Sequence, residues 1–187
     1  RQRCVWLLET QRYVHGGNCV KPNKTSPPIR VNQAFDLTTD ALWELVSAPG
    51  NLNDAHPFCK TNEALTWDGN KHVDRLVYLN GRTYVRRFQT WSPGEGYTLL
   101  IGAENGPQSF VEWTIKPLET GGSSLSITVH PYLLANWPKP LALPLYRLWI
   151  VPRMQRYLRS VLGGFAHVAT TGEPVPRNRF GRHPWFS

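Results

Sequence analysis

Hydrophobic and polar residues alternate at the start of the folded region. Over Ile29–Leu37, Val31, Phe35 and Leu37 fall on one face and Asn32 and Asp36 on the other, the period of a half-buried strand. The pattern then changes. Thr38-Thr39-Asp40 supplies a capping hydroxyl and an early acid, and Leu42, Leu45 and Val46 recur at helical spacing with Trp43 widening the stripe. Pro49-Gly50 stops this helix. Asn51–Phe58 reads as a polar connector with room for a second short helix, and it closes on His56-Pro57-Phe58.

Strand patterns follow over Glu63–Trp67, His72–Leu79, Arg82–Trp91, Tyr97–Ala103, Gln108–Lys116 and Leu125–Leu133, each bounded by turn residues. Asn80-Gly81 predicts a two-residue hairpin, because both residues tolerate positive φ. Short turns between successive strands imply an antiparallel meander. The Pro-rich stretch 138–144 is expected to end the sheet. A helix then runs from about Leu145 or Pro152 to Thr170, with Gly172 as its cap. Met154, Tyr157, Leu158, Val161, Leu162, Phe165, Val168 and Ala169 share its apolar arc, and Arg153, Arg156, Arg159, Ser160 and His167 the polar one. Gly163-Gly164 fall near the polar edge.

Before Ile29, a short helix is expected over Val5–Tyr13, ended by Gly16-Gly17, and Lys21–Pro28 reads as a linker. The expected organisation is an N-terminal extension and linker (1–28), one α+β domain (29–171) and a basic, aromatic tail (172–187).

Charge sharpens this division. The 187 residues carry 21 Lys+Arg and 13 Asp+Glu, a net +8. Residues 1–30 hold six bases and one acid, 31–140 eight bases and eleven acids, and 141–187 seven bases and one acid. The predicted sheet is therefore mildly acidic and the surplus sits at the ends, which argues against a nucleic-acid-binding sheet. Hydrophobic residues make up 41% of the chain, including eight Trp, so wholesale disorder is excluded.

Three cysteines, Cys4, Cys19 and Cys59, form no disulfide framework or CxxC pair. His15 and Cys19 straddle Gly16-Gly17, a poor start for a metal site. Asn23-Lys24-Thr25 matches a glycosylation sequon without a recognisable secretory signal. No apolar run reaches the ~20 residues of a spanning helix, and a reducing, cytoplasmic setting is expected. Phosphate-cradling loops, dinucleotide fingerprints and nucleophile elbows are lacking, so no cofactor or metal is expected.

The order of strand, helix, connector, meander and long helix resembles the START-like superfamily, also known as the Bet v 1-like or polyketide cyclase/lipid transport group. Phe35-Asp36-Leu37-Thr38-Thr39-Asp40-Ala41-Leu42-Trp43-Glu44-Leu45-Val46-Ser47 looks like its opening strand and first helix. Tyr157-Leu158-Arg159-Ser160-Val161-Leu162-Gly163-Gly164-Phe165 looks like its C-terminal helix. Where members often carry a Trp-x-Pro-like step, this chain reads Asp54-Ala55-His56-Pro57-Phe58. The resemblance implies a helix-grip fold, a curved sheet of about seven strands around the long helix, with an internal apolar cavity. It implies a hydrophobic small molecule or lipid as ligand; some members catalyse cyclisation or dehydration there.

Candidate ligand-binding residues are Trp43, Phe58, Tyr78, Tyr84, Arg86, Trp91, Trp113, Tyr132, Tyr157 and Val161. His56, His130 and Glu112 are the candidates for acid–base work. His130 shares a strand face with Ser124, Ser126 and Thr128, and Glu112 with Thr114 and Lys116, so both also fit a solvated surface. Arg86 and Arg87 point to opposite faces; an inward one needs an anionic partner, from the protein or a ligand headgroup. The basic ends leave three further expectations: peripheral membrane contact, a homodimer through the tails, or packing of the tails on the acidic domain.

Overall fold

The computed structural model describes residues 26–69, 71–119 and 121–187. Seven antiparallel strands form one sheet in the order β1-β7-β6-β5-β4-β3-β2. They are β1 Ile29–Phe35, β2 Cys59–Asp68, β3 Lys71–Tyr78, β4 Thr83–Ser92, β5 Gly96–Gly102, β6 Gln108–Pro117 and β7 Ser123–His130. The last six follow one another as a meander, and β1 pairs with β7, so β1 and β2 lie at opposite edges. Helices α1 (Thr39–Ser47) and α2 (Leu52–Ala55) bridge these edges. The Thr38 hydroxyl accepts the Ala41 N–H, the cap expected from the sequence.

One face of the sheet is packed. Leu76, Tyr78, Leu99, Leu125 and Ile127 are buried there, and Met154, Leu158, Val161, Leu162 and Phe165 of α4 (Val151–Thr171) meet them. This is the helix-grip arrangement. Register irregularities in β2 and between Phe88 and Thr90 in β4 are the kind of bulge that bends strands. Gly172 ends α4 at φ 71°, its N–H bonded to the Val168 carbonyl, where only glycine is unstrained. Among the described residues, no helix is long and apolar enough to cross a membrane.

Several elements differ from the sequence expectation: β2 begins at Cys59 and not Glu63, and β7 ends at His130 and not Leu133. The stretch 138–144 is helical: α3 spans Lys139–Leu145, with Pro140 in its first turn, where no N–H is needed. It runs through a π-helical turn, Tyr146–Ile150, directly into α4. The wide turn precedes Pro152, whose ring would otherwise press on the carbonyl four residues back. The β3–β4 hairpin has a three-residue loop, not two. Tyr78 N–H bonds to the Arg82 carbonyl, and Gly81 takes φ 83°. This shifts the register by one, and it pairs Asp74 with Arg86 instead of Arg87.

At the start of the described chain, Ser26 donates from N–H to the Pro131 carbonyl at 2.8 Å and from its hydroxyl to Leu133. The Tyr146 hydroxyl donates to the Pro27 carbonyl. The end of the expected linker is thus tied to the domain. The Val5–Tyr13 helix, His15, Cys19 and the sequon lie outside the described residues.

Candidate functional site

Sheet and α4 diverge around a cavity of about 270 Å³. Its walls come from Leu76, Leu99, Val111, Trp113, Ile127 and Val129 on the sheet and from Met154, Leu158 and Val161 on the helix. Arg82, Tyr84, Tyr132, Leu133, Trp149 and Trp185 form the more exposed end. His56, Tyr78, Arg86 and Tyr157 bring polar atoms to the buried end. A mostly apolar wall with a few placed polar groups is the usual make-up of a small-molecule site.

His56 follows α2 and is nearly sealed, at 4% exposed. Its Nδ1 accepts the Phe58 N–H at 3.2 Å, so Nε2 carries the ring hydrogen and donates it to Tyr157 Oη at 2.9 Å. Tyr157 Oη lies 3.1 Å from Tyr78 Oη. Three hydrogens, on His56 Nε2 and the two hydroxyls, serve these two bonds. One hydroxyl hydrogen is therefore left over at the cavity's buried end, whichever tyrosine supplies it. Burial, reinforced by Arg86, lowers the His56 pKa to about 3, so the ring is neutral near pH 7. Burial raises both tyrosine pKa values, keeping the hydroxyls protonated.

Arg86 does face inward, and its partner is a protein carboxylate. Its Nε donates to Asp74 Oδ1 at 2.8 Å and its Nη2 to Oδ2, a bidentate pair across β3 and β4. The side chains are 4% and 0% exposed. Burial opposes the guanidinium charge, but Asp74 outweighs it and Arg86 stays cationic, its pKa above the ordinary value.

Of the predicted ligand-binding residues, Tyr78, Tyr84, Arg86, Trp113, Tyr132, Tyr157 and Val161 line the cavity, as does His56. Trp43, Phe58 and Trp91 are not among its lining residues. Phe58 stacks on Tyr157 with ring centroids 5.9 Å apart. Trp43 and Trp91 belong to an aromatic cluster with Trp67, His72, Phe88 and Tyr97, in which Trp91 stacks on His72 at 3.9 Å. His130 and Glu112 do not line the cavity either. They alternate with the inward Val129, Val111 and Trp113, so they point to the opposite face, where His130 Nε2 and Glu112 Oε1 lie 2.8 Å apart. The acid–base constellation expected of His56, His130 and Glu112 is thus divided between two faces. Cys59, close to His56 in sequence, is buried, and burial raises its pKa to about 12, so it offers no thiolate nucleophile.

The C-terminal tail contributes residues that the pattern did not reveal. It runs over the polar arc of α4: the His183 ring bonds to the Arg153 carbonyl at 3.1 Å, and Arg156 donates to the Arg182 carbonyl. Val175 and Asn178 donate backbone N–H groups to the Asp54 and Pro57 carbonyls. Asn80 donates to the Trp185 carbonyl at 2.7 Å. Phe186 then stacks on Tyr78 and leans on Tyr157, both at 4.4 Å, and with Trp185 forms part of the cavity wall. The tail docks by backbone hydrogen bonds and aromatic contacts; the ion pairs among the described residues do not include its arginines.

Among the described residues, no group of three or more His, Cys, Asp and Glu could hold a metal ion.

No family model matches the chain. No curated protein matches it either. Solved structures do match in fold. A protein of unknown function, SA2116 from Staphylococcus aureus, superposes with TM-score 0.64 at 15% identity, covering 78% of this chain and 94% of that one. TTHA0849 from Thermus thermophilus gives 0.62 at 14%, covering 78% and 99%. DynU16, from the dynemicin biosynthetic locus, gives 0.58 at 18%, covering 82% of this chain and 49% of its own length. At such identities the likeness is one of fold.

Proposed function

We propose that this chain is a START-like helix-grip protein that binds a small hydrophobic molecule in its cavity. The observation that carries this reading is the pairing of an apolar chamber with one uncommitted hydroxyl hydrogen at its buried end. Burying a ligand's apolar surface supplies affinity at ~25 cal/mol per Å², and the hydroxyl orients it. At about 270 Å³ the chamber suits a compact ligand, such as one or two fused rings or a short chain, better than a two-tailed lipid. Titration with the neutral two-ring fluorophore 6-propionyl-2-(dimethylamino)naphthalene tests this. Saturable enhancement, lost in Val161→Trp with the fold intact by circular dichroism, supports the reading. Enhancement that Val161→Trp leaves untouched places the dye elsewhere and contradicts it.

A second reading, a cyclase- or dehydratase-type enzyme acting on a polyketide-like substrate, is favoured by the hydroxyl donor at the buried end of the chamber. The same hydroxyl could polarise a carbonyl without titrating. His56 is a poor general base in that scheme, since Nδ1 is occupied and Nε2 already carries hydrogen. Recovery of a bound ketone unchanged after prolonged incubation favours binding, whereas conversion abolished by Tyr157→Phe favours the enzyme.

A further inference from the structure

The charges at the buried end of the cavity cancel. Arg86 and Asp74 are both sealed from water and joined by two N–H···O bonds, so an incoming ligand meets a dipole with no net charge. An anionic group placed against Arg86 would also feel the Asp74 carboxylate held to that guanidinium, and burial of the pair leaves the repulsion little screened. Among the described residues, no other cation at this end offsets that cost. The His56 ring turns Nδ1 toward the Phe58 N–H, a geometry that a second ring hydrogen would destroy. Arg82, the other arginine on the wall, belongs to the exposed end and keeps its hydration. What the buried end does offer is the leftover hydroxyl hydrogen of the Tyr78–Tyr157 pair. A pocket that presents a donor discriminates against molecules unable to satisfy it.

On the reading of the cavity proposed above, we propose that the buried end of the ligand is an uncharged hydrogen-bond acceptor, such as a ketone or ester oxygen, and that the Asp74–Arg86 pair excludes carboxylates. Asp74 is then a specificity determinant: it neutralises the buried cation that would otherwise recruit an acid. The cavity discriminates twice, against anions by the closed ion pair and against plain hydrocarbons by the unsatisfied hydroxyl.

Three probes of nearly one shape test this by calorimetric titration of the full chain at pH 7.5: 2-acetylnaphthalene, 2-naphthoate and 2-ethylnaphthalene. The ketone should bind about tenfold or more tighter than the carboxylate, and several-fold tighter than the hydrocarbon. In Asp74→Asn the Arg86 charge is unbalanced, and the preference should shift toward naphthoate by about tenfold or more. Where that variant does not fold, the wild-type ratio decides. Naphthoate binding as tightly as the ketone in the wild type overturns the inference and leaves the cavity reading standing. If neither the ketone nor the hydrocarbon binds, the cavity reading falls and this inference with it.

Discussion

His56 Nε2 and Tyr157 Oη meet at 2.9 Å across 101 residues of sequence, and a glycine makes the meeting feasible. Gly164 lies two helical turns beyond Tyr157, and a Cβ there would come 2.1 Å from the Ala55 carbonyl oxygen and 3.0 Å from Pro57 Cδ. The absence of a side chain lets the α2–His56 corner rest directly on α4. Gly164→Ala should therefore lower stability by about 1–3 kcal/mol, although Ala is the better helix former. At Gly163 a Cβ would meet only the ring of Phe180, 42% exposed and able to move, so Gly163→Ala should be near neutral. Thermal unfolding of the two variants checks the contrast; equal melting temperatures would contradict it.

The buried ion pair makes a second prediction. Arg86→Met leaves the Asp74 carboxylate sealed without its cation, which should cost about 3–5 kcal/mol. Arg86→Met combined with Asp74→Leu removes both charges and should recover much of that loss. Urea denaturation measures both. A single variant costing under about 1 kcal/mol would mean that Asp74 finds water or another partner.

Three histidines should make the protein acid-sensitive above the carboxylate range. Burial lowers the pKa of His56 to about 3 and also lowers those of His72 and His183. Each is a group whose folded pKa lies below its unfolded value of ~6.5, so the folded state binds fewer protons. Stability is fully present above pH ~6.5 and falls as pH drops below it, by about 1.4 kcal/mol per pH unit for each histidine kept neutral. His56 faces Arg86, Tyr78 and Tyr157, and none of these supplies a compensating anion. Melting temperatures should decline between pH 6.5 and 5, with a shallower decline in His183→Asn. A flat profile over that window would contradict the account.

Removing residues 174–187 strips Phe186 from Tyr78 and Tyr157 and exposes the cavity wall. It also removes the buried His183 and the backbone bonds to Asp54 and Pro57. The truncated chain should melt at a lower temperature and bind apolar probes more weakly. An unchanged melting temperature would show that the tail only rests on the surface.

How far the sequence revealed this molecule depends on periodicity. The strands, α1 and α4 follow from alternation and from the Leu158–Val161–Leu162–Phe165 stripe, which the structure buries as expected. Tyr78, Tyr84 and Tyr157 could be nominated because aromatic residues with a polar end suit a cavity. Asp74 was missed. The signal was the alternation of His72, Asp74, Leu76 and Tyr78, but the other face, Val73, Arg75 and Val77, alternated as plausibly. The hairpin loop of three residues then decided which arginine Asp74 meets, a one-residue difference that Asn80-Gly81 does not encode unambiguously. Trp185 and Phe186 sit in an aperiodic tail, where docking depends on backbone hydrogen bonds that leave no residue pattern. Helical phase puts Gly164 at the polar edge and says nothing about a neighbouring carbonyl seated against it.

The central claim, that the grip encloses a site for one compact apolar molecule, is tested most directly by native mass spectrometry. Wild type and Val161→Trp would be compared after incubation with 2-acetylnaphthalene, with organic extraction of each. The account predicts a one-to-one adduct on the wild type, released unchanged on extraction and absent from Val161→Trp. Wild-type protein that takes up no ligand, or a variant that takes it up equally well, would contradict it.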